Sequence, residues 1–171
     1  LNFTKETVLS PFSISKLKID PGIYDHKEFQ FVLYTNPNNR VSLRNRSYLG
    51  GYFGGSRVSS SNTIALRIGD KFNTETNFNY NYLNLLNGKT NVVIIGNRIA
   101  YSFTPRMFLQ SLIQYNNVTK IASVNARFGW LNSANTGLFI VFNIVKDSDI
   151  FNLYNNQSIT VKYTHQFDLI K

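Results

Sequence analysis

Apolar and polar residues alternate with a period of two along most of the chain, and the spacing of an amphipathic helix hardly appears. The clearest rows lie in the second half. Ile99, Tyr101 and Phe103 alternate with Arg98, Ala100 and Ser102. Ala122, Val124, Ala126, Phe128 and Trp130 alternate with Ile121, Ser123, Asn125, Arg127 and Gly129. Leu138, Ile140, Phe142 and Ile144 face away from Phe139, Val141 and Asn143. Over 158–169, Ile159, Val161, Tyr163, His165 and Phe167 oppose Ser158, Thr160, Lys162 and Thr164. Such rows predict long strands with one apolar and one polar face. The same template, less cleanly, predicts strands near 28–36, 41–53, 64–68, 77–82, 91–103 and 107–115. That makes nine strands from Glu28 onward, and residues 12–19 offer a tenth.

Turn residues separate the rows. Asn87-Gly88 is the strongest hairpin signal, because a type I′ turn takes positive φ at both central residues. Gly54-Gly55, Gly69-Asp70, Asn116-Asn117 and Asn135-Thr136-Gly137 suit hairpins as well. Thr104-Pro105 falls between strands, where proline's missing donor does no harm. Only 146–157 reads as a long loop. With no helix long enough to make a crossover, the expected fold is an all-β, antiparallel up-and-down meander in one domain over 1–171.

Alternation alone does not separate a soluble barrel from an outer-membrane barrel, because the second turns its apolar rows outward. Three features favour a transmembrane β-barrel of about nine or ten strands, or its C-terminal part. Strands of ten or more residues match a tilted membrane-spanning strand, whereas soluble strands usually have about five or six. The polar rows hold Asn, Gln, Ser, Thr and Arg in place of the Lys/Glu mixture of a soluble surface, and roughly one residue in eight is Asn. Tyr101, Phe103, Tyr115, Phe128, Trp130 and Phe167 sit towards strand ends, as an interfacial girdle requires. Charged residues are only 16% and aromatic residues 15%, so the chain is too apolar for disorder. No apolar run approaches the roughly 18 residues of a helical span.

Two segments carry a family resemblance. One is Asn97-Arg98-Ile99-Ala100-Tyr101-Ser102-Phe103-Thr104-Pro105 with Leu112-Ile113-Gln114-Tyr115-Asn116-Asn117. The other is Asn125-Ala126-Arg127-Phe128-Gly129-Trp130, running on to Gly137-Leu138-Phe139-Ile140-Val141-Phe142-Asn143. Together they resemble the C-terminal barrel of a Bacteroidota outer-membrane family of unknown function. Members of that family often carry a carbohydrate-binding-like domain ahead of the barrel. Asp20-Pro21-Gly22-Ile23-Tyr24, Tyr52-Phe53 and Val161-Lys162-Tyr163-Thr164 fall in the order the family has them. The resemblance implies a location in the cell outer membrane and a barrel already under way at Leu1, completed by strands absent from this chain. The closing Phe167-Asp168-Leu169-Ile170-Lys171 departs from the terminal aromatic of an outer-membrane assembly signal.

Candidate chemistry is sparse. With no Cys, a disulfide scaffold, a thiolate metal site and a cysteine nucleophile are excluded. His26 and His165 stand far apart with no second ligand at a metal spacing. No pair of carboxylates is placed to work across one sugar, and no serine has a nucleophile motif around it. Asp147 and Asp149 lack the pattern of a calcium loop. The expectation is therefore a non-enzymatic protein with no cofactor. The basic excess, 18 Lys and Arg against 9 Asp and Glu, has more content. Arg44, Arg46, Arg67, Arg98, Arg127 and Lys162 all fall on polar rows and converge on one lumen in a barrel. They form either a cationic pore that favours anions or a set paired with carboxylates on the absent strands. Under the second reading, Arg44, Arg46 and Arg67 lack nearby carboxylates in this chain. The charges are spread along strands and match no nucleic-acid motif, so the expected partners are a lipid bilayer, lipopolysaccharide at basic rims, and an upstream domain or other envelope proteins, with no nucleic acid. A channel, or a membrane anchor for a glycan-handling domain, is the function expected. A barrel-embedded enzyme and a soluble ligand-binding barrel are the alternatives.

Overall fold

The computed structural model of the chain describes residues 1–14, 16–133, 136–147 and 155–165. Twelve strands form among them: β1 (Asn2–Val8), β2 (Phe12–Ile14), β3 (Leu17–Ile19), β4 (Gly22–Tyr34), β5 (Val41–Tyr52), β6 (Gly55–Ile68), β7 (Phe72–Leu85), β8 (Gly88–Thr104), β9 (Met107–Asn116), β10 (Ile121–Ser133), β11 (Thr136–Asp147) and β12 (Asn155–Thr164). Ten make one antiparallel sheet in the order β1-β4-β5-β6-β7-β8-β9-β10-β11-β12, and β2 pairs only with β3. The nine strands from β4 to β12 are the nine that alternation predicts. Each pairs with its sequence neighbour, because the connections are too short for anything but hairpins.

The N-terminal region differs from expectation. Residues 12–19 do not supply a strand of the main sheet; they fold back on themselves, with Phe12 opposite Ile19 and Ile14 opposite Leu17. The tenth strand is β1, whose mixed sequence Asn-Phe-Thr-Lys-Glu-Thr-Val alternates weakly and gains its order by pairing along the first half of β4. Lys16, at φ 73, carries the β2–β3 turn. The expected loop over 146–157 is shorter, since β11 runs to Asp147 and β12 begins at Asn155. The Phe167 end of the predicted last row lies outside the described residues.

Two turns are shifted by one residue. The hairpin near Asn87 closes on a Leu85–Gly88 pair, so Leu86-Asn87 forms the turn in place of Asn87-Gly88. Asn87 Nδ2 donates to the Lys18 carbonyl at 2.9 Å, which ties the turn to β3. Between β5 and β6 the turn residues are Phe53 and Gly54, both at positive φ (43° and 76°). An I′ turn asks for such angles and seldom places a phenylalanine in them.

Register fixes which side chains share a face, since directly opposed residues of a ladder point the same way. One face carries a continuous apolar row from Ile68 through Phe72, Tyr101, Leu109, Phe128 and Ile140 to Val161, spanning β6 to β12. Phe29, Phe31, Leu49, Ile64, Ile113 and Trp130 lie on this face and are exposed. At the β1–β4 end this face carries Lys5, Asp25 and Lys27, and farther along two polar clusters bond within themselves. Asn45 Nδ2 donates to Ser60 Oγ and Asn62 Oδ1, and Asn97 Nδ2 donates to Thr74 Oγ1 and Thr76 Oγ1. Among the described residues, a buried apolar cluster exists only where the β2–β3 hairpin packs: Val8, Leu17, Ile19, Phe53, Leu83 and Leu85.

Candidate functional site

The opposite face holds every basic residue that the sequence singled out. One row runs Arg67, Asn73, Ala100, Gln110, Arg127 across β6 to β10. The adjacent row runs Ala65, Glu75, Arg98, Leu112, Asn125, Asn143 across β6 to β11. Arg44 opposes Thr63 and Arg46 opposes Ser61 on the same side, and Lys162 joins it opposite Phe139. Asparagines line β7 on this face, and Val92, Ile94, Leu112, Val141 and Val145 lie on it as well. Ser59, Ser61 and Thr63 donate to Asn81, Asn79 and Asn77 at 2.6, 2.6 and 2.8 Å, and Asn125 donates to Asn143.

The arginines differ in their partners. Arg44 does have a carboxylate, Glu75 Oε2 at 3.7 Å, contrary to expectation. The sequence did not reveal this pair because it spans three strands whose register alone brings the residues together. Arg46 donates to the Tyr34 hydroxyl at 3.0 Å. Arg127 lies over two rings, 4.8 Å from Phe139 and 5.7 Å from Phe108. Gly129 makes that possible, since a Cβ there would sit 2.4 Å from the Phe108 ring. Among the described residues, Arg67 and Arg98 form neither an ion pair nor a side-chain hydrogen bond, and Arg46 forms no ion pair.

Several shallow hollows lie along this face, and two of them share Arg98. One of about 270 Å³ is bordered by Arg67, Asn73, Glu75, Arg98 and Gln110. The other, about 280 Å³, is bordered by Arg98, Gln110, Asn125 and Arg127. Ala65 and Ala100 keep the first open, and Ala100 borders both.

Sequence reasoning missed Arg57 and the surroundings of His26. Arg57 Nη2 and Nε lie 2.6 and 2.9 Å from Glu28 Oε1, and its guanidinium stacks 4.2 Å from the Tyr52 ring. His26 is buried in a box made by Tyr24, Tyr52 and Phe53. Its Nδ1 accepts the Phe53 N–H at 3.2 Å, while Nε2 has no hydrogen-bond partner and stands 3.8 Å from Glu6 Oε2. Phe12 of the β2–β3 hairpin packs edge-on against Phe53 at 5.5 Å, so the hairpin covers one end of the basic face. Only the Asn-Arg and aromatic patterning pointed to this face; the contacts themselves join segments far apart in sequence. Among the described residues, no group of three His, Asp or Glu side chains is placed to hold a metal ion.

No family model matches the sequence, and no curated protein or solved structure shows detectable similarity to it.

Proposed function

We propose that the chain forms wall of a transmembrane β-barrel in the outer membrane of a Gram-negative bacterium, serving as a non-enzymatic channel whose lumen favours anions. The observation that carries this reading is the two-sided sheet. One face exposes a continuous apolar and aromatic row across seven strands, while the other gathers the arginines among asparagines. In a soluble barrel the apolar rows are enclosed; here large apolar side chains such as Phe29, Ile64 and Trp130 stand more than half or half exposed. Lipid is the solvent that such a face suits. The strands β4 to β12 have 10 to 17 residues, enough for the roughly 9–11 of a tilted span. The polar clusters on the apolar face bond among themselves, as backbone and side-chain polar groups must where water is absent.

The hairpin and the hollows that share Arg98 lie on the arginine face, which supports placing that face inward. Rings of Arg and Lys in a lumen select anions, and basic residues at a rim attract lipopolysaccharide phosphates. Closure is the remaining requirement, since lipid tolerates no open edge. Strand direction alternates from β4 to β12, so β12 runs as β4 does and β1 runs opposite to it. The two edges therefore have the polarity to meet directly or through an even number of further strands. Transfer of the full chain from detergent micelles to plain buffer tests the membrane reading. Aggregation is the expected result, and a monodisperse sample without amphiphile would contradict it.

A further inference from the structure

We propose that the hollows joined at Arg98 form a binding site for a small solute held by its oxyanion, a phosphorylated or carboxylated molecule of about monosaccharide size. The inference rests on reading the arginine face as a lumen, and it adds a saturable site to a general preference for anions.

Arg67 and Arg98 border the first hollow with no ion pair among the described residues, so two guanidinium groups keep their N–H forks for a ligand. Arg127 borders the second, and its partners are rings. Stacking occupies the faces of a guanidinium and leaves its edge donors free to grip two oxygens at once. Glu75 is the carboxylate among the residues bordering the hollows. It lies 3.7 Å from Arg44 and accepts from Asn77 Nδ2 at 3.3 Å, so its charge is already engaged. The local balance is positive. Asn73, Gln110 and Asn125 contribute amides that both donate and accept, which suits the hydroxyls of a polar body carrying the anion. Each hollow, about 270 or 280 Å³, falls just short of the range of drug-sized sites, which suits a small solute. Ala65 and Ala100 are what leave that space empty; long side chains there would fill it.

The test is calorimetric titration of the full chain in detergent micelles at low ionic strength, with glucose 6-phosphate as ligand, inorganic phosphate as competitor and glucose as neutral control. Saturable binding of glucose 6-phosphate, competed by phosphate and not seen with glucose, is expected. Arg98→Gln should weaken it at least tenfold, Arg98→Lys by less, and Arg40→Gln in the β4–β5 connection not at all. Retained strand circular dichroism in each variant separates loss of the site from loss of folding. No saturable binding, binding indifferent to Arg98→Gln, or failure of phosphate to compete would overturn the site. The outcomes also separate this site from the membrane reading. A chain monodisperse in plain buffer that still binds through Arg98 refutes only the membrane, while a detergent-dependent chain indifferent to oxyanions refutes only the site.

Discussion

Phe53 holds a backbone conformation that a bulky residue rarely adopts, and the residues around it explain how. Its φ of 43° belongs to the left-handed region, where the side chain crowds its own carbonyl. Burial against Tyr24, Tyr52 and His26, together with the hydrogen bond from its N–H to His26 Nδ1, offsets that strain. Replacing His26 by Ala removes the acceptor and leaves a buried donor unpaired, at about 1–3 kcal/mol. The β2–β3 hairpin should then open more often, because Phe12 is anchored on Phe53. Limited trypsin digestion reads this as faster cleavage after Lys16 and Lys18, several-fold or more; an unchanged rate would show that the hairpin is held elsewhere. In the sequence His26 is a lone histidine, and nothing there marks Phe53 as its neighbour. The Asn125–Trp130 motif was more informative. Arg127 and Gly129 alternate with Phe128 and Trp130 because one pair of positions serves each face, and only the stacking of Phe108 over Gly129, which joins two strands, is not written in the motif.

At the scale of elements, nine strands were readable because period-two alternation persists through each one and turn residues punctuate them. What escaped was governed by pairing. β1 is too polar to announce itself, and the one-residue slip at Leu86-Asn87 comes with a tether to Lys18 that local turn chemistry does not include. Register matters most in β11. Ile140 lies between Phe128 and Val161 on the apolar face, and Asn143 between Asn125 and Ser158 on the arginine face. A charge on the lipid side near mid-membrane costs roughly 2–4 kcal/mol. Ile140→Arg should therefore block folding into lipid vesicles, whereas Asn143→Arg should fold as the parent does. Equal damage from both, measured by vesicle-protected protease resistance, would mean that the two faces are not in different solvents.

For the whole molecule, stability depends on which solvent each face meets. Among the described residues the ten-stranded sheet has little enclosed core, and the one buried cluster sits under the hairpin at one end. Hydrophobic burial among the described residues therefore supplies less than a water-soluble domain of this length needs, and under the proposed membrane reading contact of the apolar row with lipid tails takes its place. The absence of cysteine lets each position of β11 from Leu138 to Ile144 carry a single introduced Cys bearing a nitroxide. The most direct measurement compares, in lipid vesicles, collision of that nitroxide with oxygen, which concentrates in the hydrocarbon, and with a water-soluble nickel chelate. The account predicts oxygen access at 138, 140, 142 and 144 and nickel access at 139, 141 and 143. Access without alternation, or alternation of the opposite sign, would contradict it.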